Sequence, residues 1–374
     1  MKKVFSIFLS LIVLMSLSAY KKGYRELTFE SFSASTISLQ KIGEPFDISL
    51  EYSLDGKNWK SYSIGEDIYL LDEDILFFRA GETGNRRFSK GIDDYYQFDI
   101  SGEVAARGSI MSLLDRKCGH NSVPSYAFFN LFRDCASLTE APELPAMKLA
   151  DCCYSSMFHG CAGLTKGPVL PATELADCCY YFMFKGCTSL TKAPALPARE
   201  LAEACYYCMF VGCENLIKAP ALPATELAEG CYSWMFAGCE NLTKAPALPA
   251  TELAEWCYSE MFLGCTSLTE APALPATKLA EGCYECMFSD CTSLTKAPAL
   301  PATELAEECY SSMFEGCTKL NYVKALFTDE PSEETTGSWL SGVATNGTFV
   351  KSKYATWDVR GDDGIPEGWN VVTE

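Results

Sequence analysis

A unit of 26 residues repeats without insertion from about residue 118 to residue 322, and nothing else in the chain limits its fold so strongly. One copy runs from Thr225 to Ala250, TELAEGCYSWMFAGCENLTKAPALPA. Its Phe recurs at Phe132, Phe158, Phe184, Phe210, Phe236, Phe262, Phe288 and Phe314. A fixed period in this range is the signature of a solenoid, in which each unit buries its apolar face only against its neighbours.

Within the unit, Leu227, Ala228, Cys231, Tyr232, Met235 and Phe236 recur at a spacing of four and five, which predicts a helix from Thr225 to about Cys239. Thr225 is placed to cap its start, and Gly238 to close it in the left-handed conformation. The stretch Leu242 to Pro249 is too short for a second helix and predicts a parallel strand ended or bulged at Pro246. Strand–helix units coil right-handedly. Helices need about 8–10 Å of separation against about 4.8 Å for strands, so such an array should curve with its helices outside. The expected class is therefore α/β, a curved solenoid of eight strand–helix units with a small N-terminal β domain and a C-terminal cap.

Met235-Phe236, Cys239, Leu242 and Leu248-Pro249 stand in the order found in the leucine-rich repeats of BspA-like surface proteins of anaerobic, Bacteroides-type bacteria, and the unit resembles theirs. It is a few residues longer, with Met in place of the family's Ala. The resemblance covers about 200 of the 374 residues. It implies a leucine-rich-repeat fold, exposure at the cell surface, and binding.

The flanks read differently. Residues 1–19 have the form of an export signal: Lys2 and Lys3 precede an apolar run from Val4 to Leu17, and Leu17-Ser18-Ala19 precedes the expected cut. A lipoprotein processing box would need Cys next, and the chain has Tyr20, so ordinary cleavage and an extracellular or outer-surface location are expected. No membrane segment is expected after its removal. Residues 20–110 predict a β-rich, sandwich-like domain. In it Phe46, Ile48, Leu50 and Tyr52 alternate with polar residues before an Asp55-Gly56 turn, and Tyr96, Phe98 and Ile100 alternate again. The Ser53–Trp59 turn resembles an Asp-box hairpin one residue short and is read as structural. Residues 111–326 form the solenoid. Its first unit is degenerate, with Ala127-Phe128 and Leu131 at the Cys-Tyr and Met positions. Residues 327–374 predict a strand-bearing closing cap.

The net charge of −19 excludes a phosphate-binding surface and with it nucleic acid. Twenty cysteines in an exported chain would ordinarily suggest disulfides. Here eight sit three residues after the repeat Phe and seven sit five before it, both on the apolar side of the unit. That favours two inward ladders of free thiols acting as small hydrophobes, with disulfides along a ladder as the alternative. Thiols kept reduced outside a cell need a reducing habitat, which the anaerobic resemblance implies. Cys205-x-x-Cys208 and Cys283-x-x-Cys286 have half a zinc site's spacing but lie three rungs apart, so no metal or other cofactor is expected. With only His120 and His159 to serve as histidine bases, and no unique acidic pair, catalysis is the weaker class.

The positions that vary between repeats cluster on the other half of the expected helix. In the middle units they hold Tyr181, Phe182, Tyr207, Cys208, Val211, Trp234, Trp256 and Leu263. Such residues form either an apolar binding patch or the filling of grooves between helices. Of the thiols, Cys208 and Cys286 on this varying face are expected to react first. The function expected is recognition of, or adhesion to, a host or bacterial surface protein without catalysis. A glycan-binding module is the alternative, and a glycoside hydrolase or its accessory the second. One charge pattern adds an expectation: Lys166 and Glu174, Lys192 and Glu200, and five further pairs eight residues apart carry opposite signs, exchanged together in Glu140/Lys148 and Glu270/Lys278. This predicts a contact inside each repeat.

Overall fold

The computed structural model describes residues 23–374, so the expected export signal lies outside the described residues. The repeats stack as a β-solenoid of about ten turns with almost no helix. The solenoid expectation holds; the strand–helix unit does not. Where a helix was expected, each rung runs through consecutive β-turns that alternate in kind.

The hydrogen bonds show how. In the rung of Phe236, the amides of Gly230, Tyr232, Trp234, Phe236 and Gly238 donate to carbonyls of the next rung, at Glu255, Cys257, Ser259, Met261 and Leu263, over 2.8–3.1 Å. The intervening amides of Cys231, Ser233, Met235, Ala237 and Cys239 each close a turn on the carbonyl three residues back, over 3.0–3.3 Å. Every backbone donor from 230 to 239 is thereby used, as burial requires. Alternate turns need a positive φ at their third residue. Gly230 (φ 56°), Trp234 (60°) and Gly238 (70°) supply it.

The resulting period is four residues. Cys231-Tyr232, Met235-Phe236 and Cys239 face inward and are fully buried, while Glu229-Gly230, Ser233-Trp234 and Ala237-Gly238 form the opposite face. Over so short a stretch this resembles a helical period of 3.6, which is why a helix was expected. Spacing decides against it. The repeat Phe rings stack from Phe132 to Phe314 with centroids 5.5–5.7 Å apart and planes within 10°. The Tyr rings stack likewise from Tyr154 to Tyr310 at 5.7–6.0 Å. Helices cannot approach below about 8 Å. With no helices to spread one side, the reason for expecting curvature also falls away.

The Pro-rich half of each unit pairs only sparsely. Single parallel bridges such as Lys192↔Lys218, Glu200↔Glu226 and Lys244↔Glu270 join neighbouring rungs. Two prolines in each Ala-Pro-Ala-Leu-Pro stretch remove the donors a longer strand would need. None of the seven expected charge contacts within a repeat occurs. The ion pairs here are Lys148–Glu174 and Lys244–Glu270, both 2.7 Å and both between rungs where the signs change. At Lys192 and Lys218 and at Glu200 and Glu226 like charges stack, because the buried side sets the register and exposed charges are worth little.

Both ends continue the stack. In the N-terminal region are β1 (Leu27–Ser31), β2 (Ser35–Ile42), β3 (Leu50–Ser53), β4 (Lys60–Ser61), β5 (Ile68–Leu70), β6 (Ile75–Ala80), β7 (Tyr95–Ser101) and β8 (Val104–Arg107). β8-β1-β6-β3-β4 form an antiparallel sheet, and β5-β2-β7 a second. The Asp55 carboxylate takes the amides of Lys57 and Asn58 at 2.8 Å, which holds its pKa well below the usual carboxylate range and fixes the turn. This region is not insulated from the repeats: Phe98 of β7 stacks on Phe132 at 5.1 Å and 13°, and the buried residues form one continuous core. At the other end Tyr322–Ala325, Thr348–Lys351 and Asn370–Thr373 stack as parallel strands, and Trp339 extends the aromatic column beyond Tyr310.

Candidate functional site: the outward face of the turn runs

The outward residue pairs of successive rungs align in three columns, represented by 151/152, 155/156 and 159/160 and repeated every 26 residues. All seven aromatic and aliphatic residues singled out in the sequence lie in these columns, and all are half-buried.

They fall into two groups. Tyr181 and Tyr207 stack at 5.0 Å and 7°, and Phe182 packs edge-on against both, at 4.2 and 5.9 Å. Lys185 Nζ lies 4.6 Å from the Phe182 ring centre, and the His159 ring stacks with Phe182 at 6.2 Å. Burial and the Arg133 and Lys185 charges lower the His159 pKa, so the ring is neutral near pH 7. Trp234 and Trp256 sit further along. The Trp256 indole covers Gly282 so closely that a Cβ there would meet ring atoms at 2.3–2.6 Å. Val211 and Leu263 belong to the third column and complete the apolar surface beside them.

Phe182 (φ 56°), Trp234 (60°) and Trp256 (55°) all adopt the left-handed conformation. For a bulky residue this costs on the order of 1–2 kcal/mol relative to glycine. At the position of Trp256 other rungs carry Gly230 and Gly282, and at that of Phe182 and Trp234 they carry Ser156, Cys208, Glu260 and Ser312, so the fold itself does not call for aromatics there.

One feature of this face escaped sequence reasoning. Glu260 and Glu285 come together half-buried, with Ser259 Oγ donating to Glu285 at 3.0 Å. Burial and the Glu285 charge push the Glu260 carboxyl up to about 7, so its charge changes near neutrality. The signal was present: the two acids occupy varying positions of adjacent units, 25 residues apart. A shallow depression of about 420 Å³ at the Pro corner, lined by Glu270, Lys296, Tyr322 and Lys324 among others, lies away from this pair.

The cysteines are unpaired thiols, and each inner ladder is buried. From Cys135 to Cys317 the thiol after each repeat Phe donates to the Phe carbonyl of the preceding rung over 3.0–3.2 Å; Cys239 Sγ reaches Phe210 O. This gives Cys a specific task that a purely apolar side chain would not perform. Cys205 and Cys208 lie on opposite sides of their rung, so that pair cannot close on one ion. Among the described residues no group of three or more His, Cys, Asp or Glu is arranged to hold a metal. The thiol shifts do not single out the two cysteines expected to react first. Burial pushes Cys208 and Cys286 up to about 12, whereas a hydrogen bond with Cys178, helped by Tyr126, brings Cys152 down to about 7 against its own burial.

No family model, curated protein or solved structure matches this chain.

Proposed function

We propose that this chain is an exported or surface-held binding protein, of the BspA-like kind its repeat resembles, that recognises another macromolecule through the outward face without chemistry. The observation that carries this reading is the aromatic set at the left-handed positions Phe182, Trp234 and Trp256, which other rungs fill with smaller or polar residues such as Ser156, Cys208 and Gly230. The fold requires the left-handed backbone but not a bulky ring upon it, and strain of that kind concentrates where a protein does its work. A protein surface of host or bacterial origin is the favoured partner. Tyr181 and Tyr207 stack face to face, each using one ring face, and packed aromatics of this kind suit the centre of a protein interface.

A glycan is the second reading, and Trp256 favours it: an indole lying over Gly282 leaves its far side for a sugar ring. Arrays of surface proteins and of glycans, probed with the wild-type chain and with Tyr181→Ser, Tyr207→Ser, Trp234→Ser and Trp256→Ser, test both. Loss of protein binding in the first three variants is the expected result. Binding that survives all four substitutions refutes the face as the site, and loss confined to Trp256→Ser on glycans selects the second reading.

A further inference from the structure

At one position of the outward face two cysteines outside the inner ladders stand in successive rungs, Cys152 and Cys178. Their backbones repeat one another. Both are left-handed at 54°, and the Cys152 amide donates to Asp177 O at 3.0 Å just as the Cys178 amide donates to Glu203 O at 2.9 Å. Rungs paired in this way lie about 4.8 Å apart, inside the roughly 4.4–6.8 Å that separates the Cα atoms of a disulfide. The shared conformation points both side chains the same way, and the two thiols hydrogen-bond to each other. At the equivalent position other rungs carry Tyr126, Ala204, Gly230, Trp256, Gly282 and Glu308, so the fold does not call for a thiol there.

This pair differs from the inner ladders in access and in task. The inner thiols are buried, and those after the repeat Phe are occupied by a carbonyl. Cys152 and Cys178 are half-buried on the outward face and bond to no backbone carbonyl. Burial opposes ionisation of either one, but the hydrogen bond between them stabilises the first thiolate formed. Each follows an exposed acid, Asp151 or Asp177, and Glu203 stands exposed in the next rung. A small reagent that reaches the pair therefore enters a field of three carboxylates, which attracts cations and repels anions.

We propose that Cys152 and Cys178 are a modification site, a dithiol that closes into a disulfide across two rungs by exchange with a cationic low-molecular-weight disulfide. The thiolate of the pair attacks one sulfur of the reagent, forming a mixed disulfide and releasing one small thiolate. The second cysteine then gives its proton to solvent and attacks the protein sulfur of that mixed disulfide, releasing the other small thiolate. The two released thiolates take up the two protons the cysteines lost. The protein is oxidised by two electrons, and the reagent is reduced to two thiols. Closing the bridge draws the Cβ atoms roughly 0.3–1 Å nearer than the rung spacing, a strain that leaves it readily reduced. The site acts whether or not the face has a macromolecular partner.

The folded full chain, treated with cystamine, quenched in acid, alkylated and mapped by mass spectrometry, tests this. The wild type should carry a Cys152–Cys178 bridge and no cysteamine, and dithiothreitol should reopen it. Cys178→Ala and Cys152→Ala place at each site the residue that Ala204 already supplies one rung further on, and circular dichroism checks their fold. Each should stop at a mixed disulfide on the cysteine that remains. Relative to a small free thiol, cystamine should react roughly tenfold faster than anionic oxidised glutathione at low salt. That advantage should vanish near 1 M salt, where the screening length is about 3 Å. Two mixed disulfides on the wild type, a bridge within the inner ladders, or no reaction at either cysteine overturns the site. Equal relative rates for the two reagents at low salt overturn the selection for cations.

Discussion

The two sides of each turn run obey different rules, although they alternate along the same dozen residues. On the inner side nearly every rung repeats Cys-Tyr, Met-Phe and Cys, and each ring meets its own kind at 5.5–6.0 Å. A different ring there would disturb two neighbours at once, so the inner side admits little variation. On the outer side the same backbone accepts Ser, Phe, Cys, Trp and Glu at one structural position, and Cys, Ala, Gly, Trp and Glu at another. The scaffold is defined from within and leaves its outer residues free to carry recognition. Aromatic content therefore says little about role in this molecule: Phe236 and Trp234 are two residues apart and serve opposite ends.

The largest expected effect tests that division directly. Phe236→Ala removes a fully buried ring stacked on Phe210 and Phe262, and should cost about 3–5 kcal/mol in denaturant unfolding. Phe182→Gly, on the outer side, should leave stability unchanged or raise it by about 1 kcal/mol, since glycine adopts the left-handed conformation freely. Comparable losses from both substitutions would erase the distinction between scaffold and face.

How far this division could be read from sequence depends on the element. The 26-residue period, the burial of Cys231, Tyr232, Met235 and Phe236, and the variability of Ser233 and Trp234 were all legible. The period alone identifies stacked rungs, and burial follows from residues that recur in every copy. The turn run itself was not legible. An inward pair every four residues differs from a helical stripe by about 40° per step, too little to resolve over three steps. Gly160, Gly186, Gly212 and Gly238 marked one left-handed position per rung, which also fits a helix terminus. The other two left-handed positions carry residues such as Cys152, Phe182 and Trp256, which give no warning of a positive φ. Ring spacing along the stack would have decided the matter, and a single chain does not display it. The Glu260–Glu285 pair was hidden for a related reason. Residues 25 apart become neighbours only once the register between rungs is known.

A smaller effect is expected where the outer face touches its own scaffold. A Cβ at Gly282 would collide with the Trp256 indole, while one at Gly230 would find its nearest neighbour, Tyr207, at 4.0 Å. Both glycines are left-handed, at 55° and 56°, so the backbone cost of alanine is shared. Gly282→Ala should therefore destabilise by about 1–3 kcal/mol, and Gly230→Ala by about 1–2 kcal/mol. Adding Trp256→Gly to Gly282→Ala should recover the excess. Equal losses at the two glycines would mean that the indole moves aside freely, and that the outer side is independent even of its own neighbours.

The smallest effect concerns the one place where the outer side holds a charge in a partly dry setting. In the folded chain Glu260 titrates at about 7, against 4.5 for an unperturbed carboxyl. Between those values the folded protein keeps a proton that the unfolded chain has released. Stability linked to this group is therefore full below about 4.5, declines as pH rises, and levels off above about 7. Glu285 is shifted in the same direction, chiefly by burial, so it adds a slope of the same sign. Glu260→Gln keeps the shape of the side chain without its titration. Urea midpoints measured across this window should fall with pH in the wild type and fall less steeply in the variant. Identical slopes would mean that the carboxyl is solvated after all, and that the outer face stays wet at its centre. An interface formed over that pair would then have to displace that water before it could close.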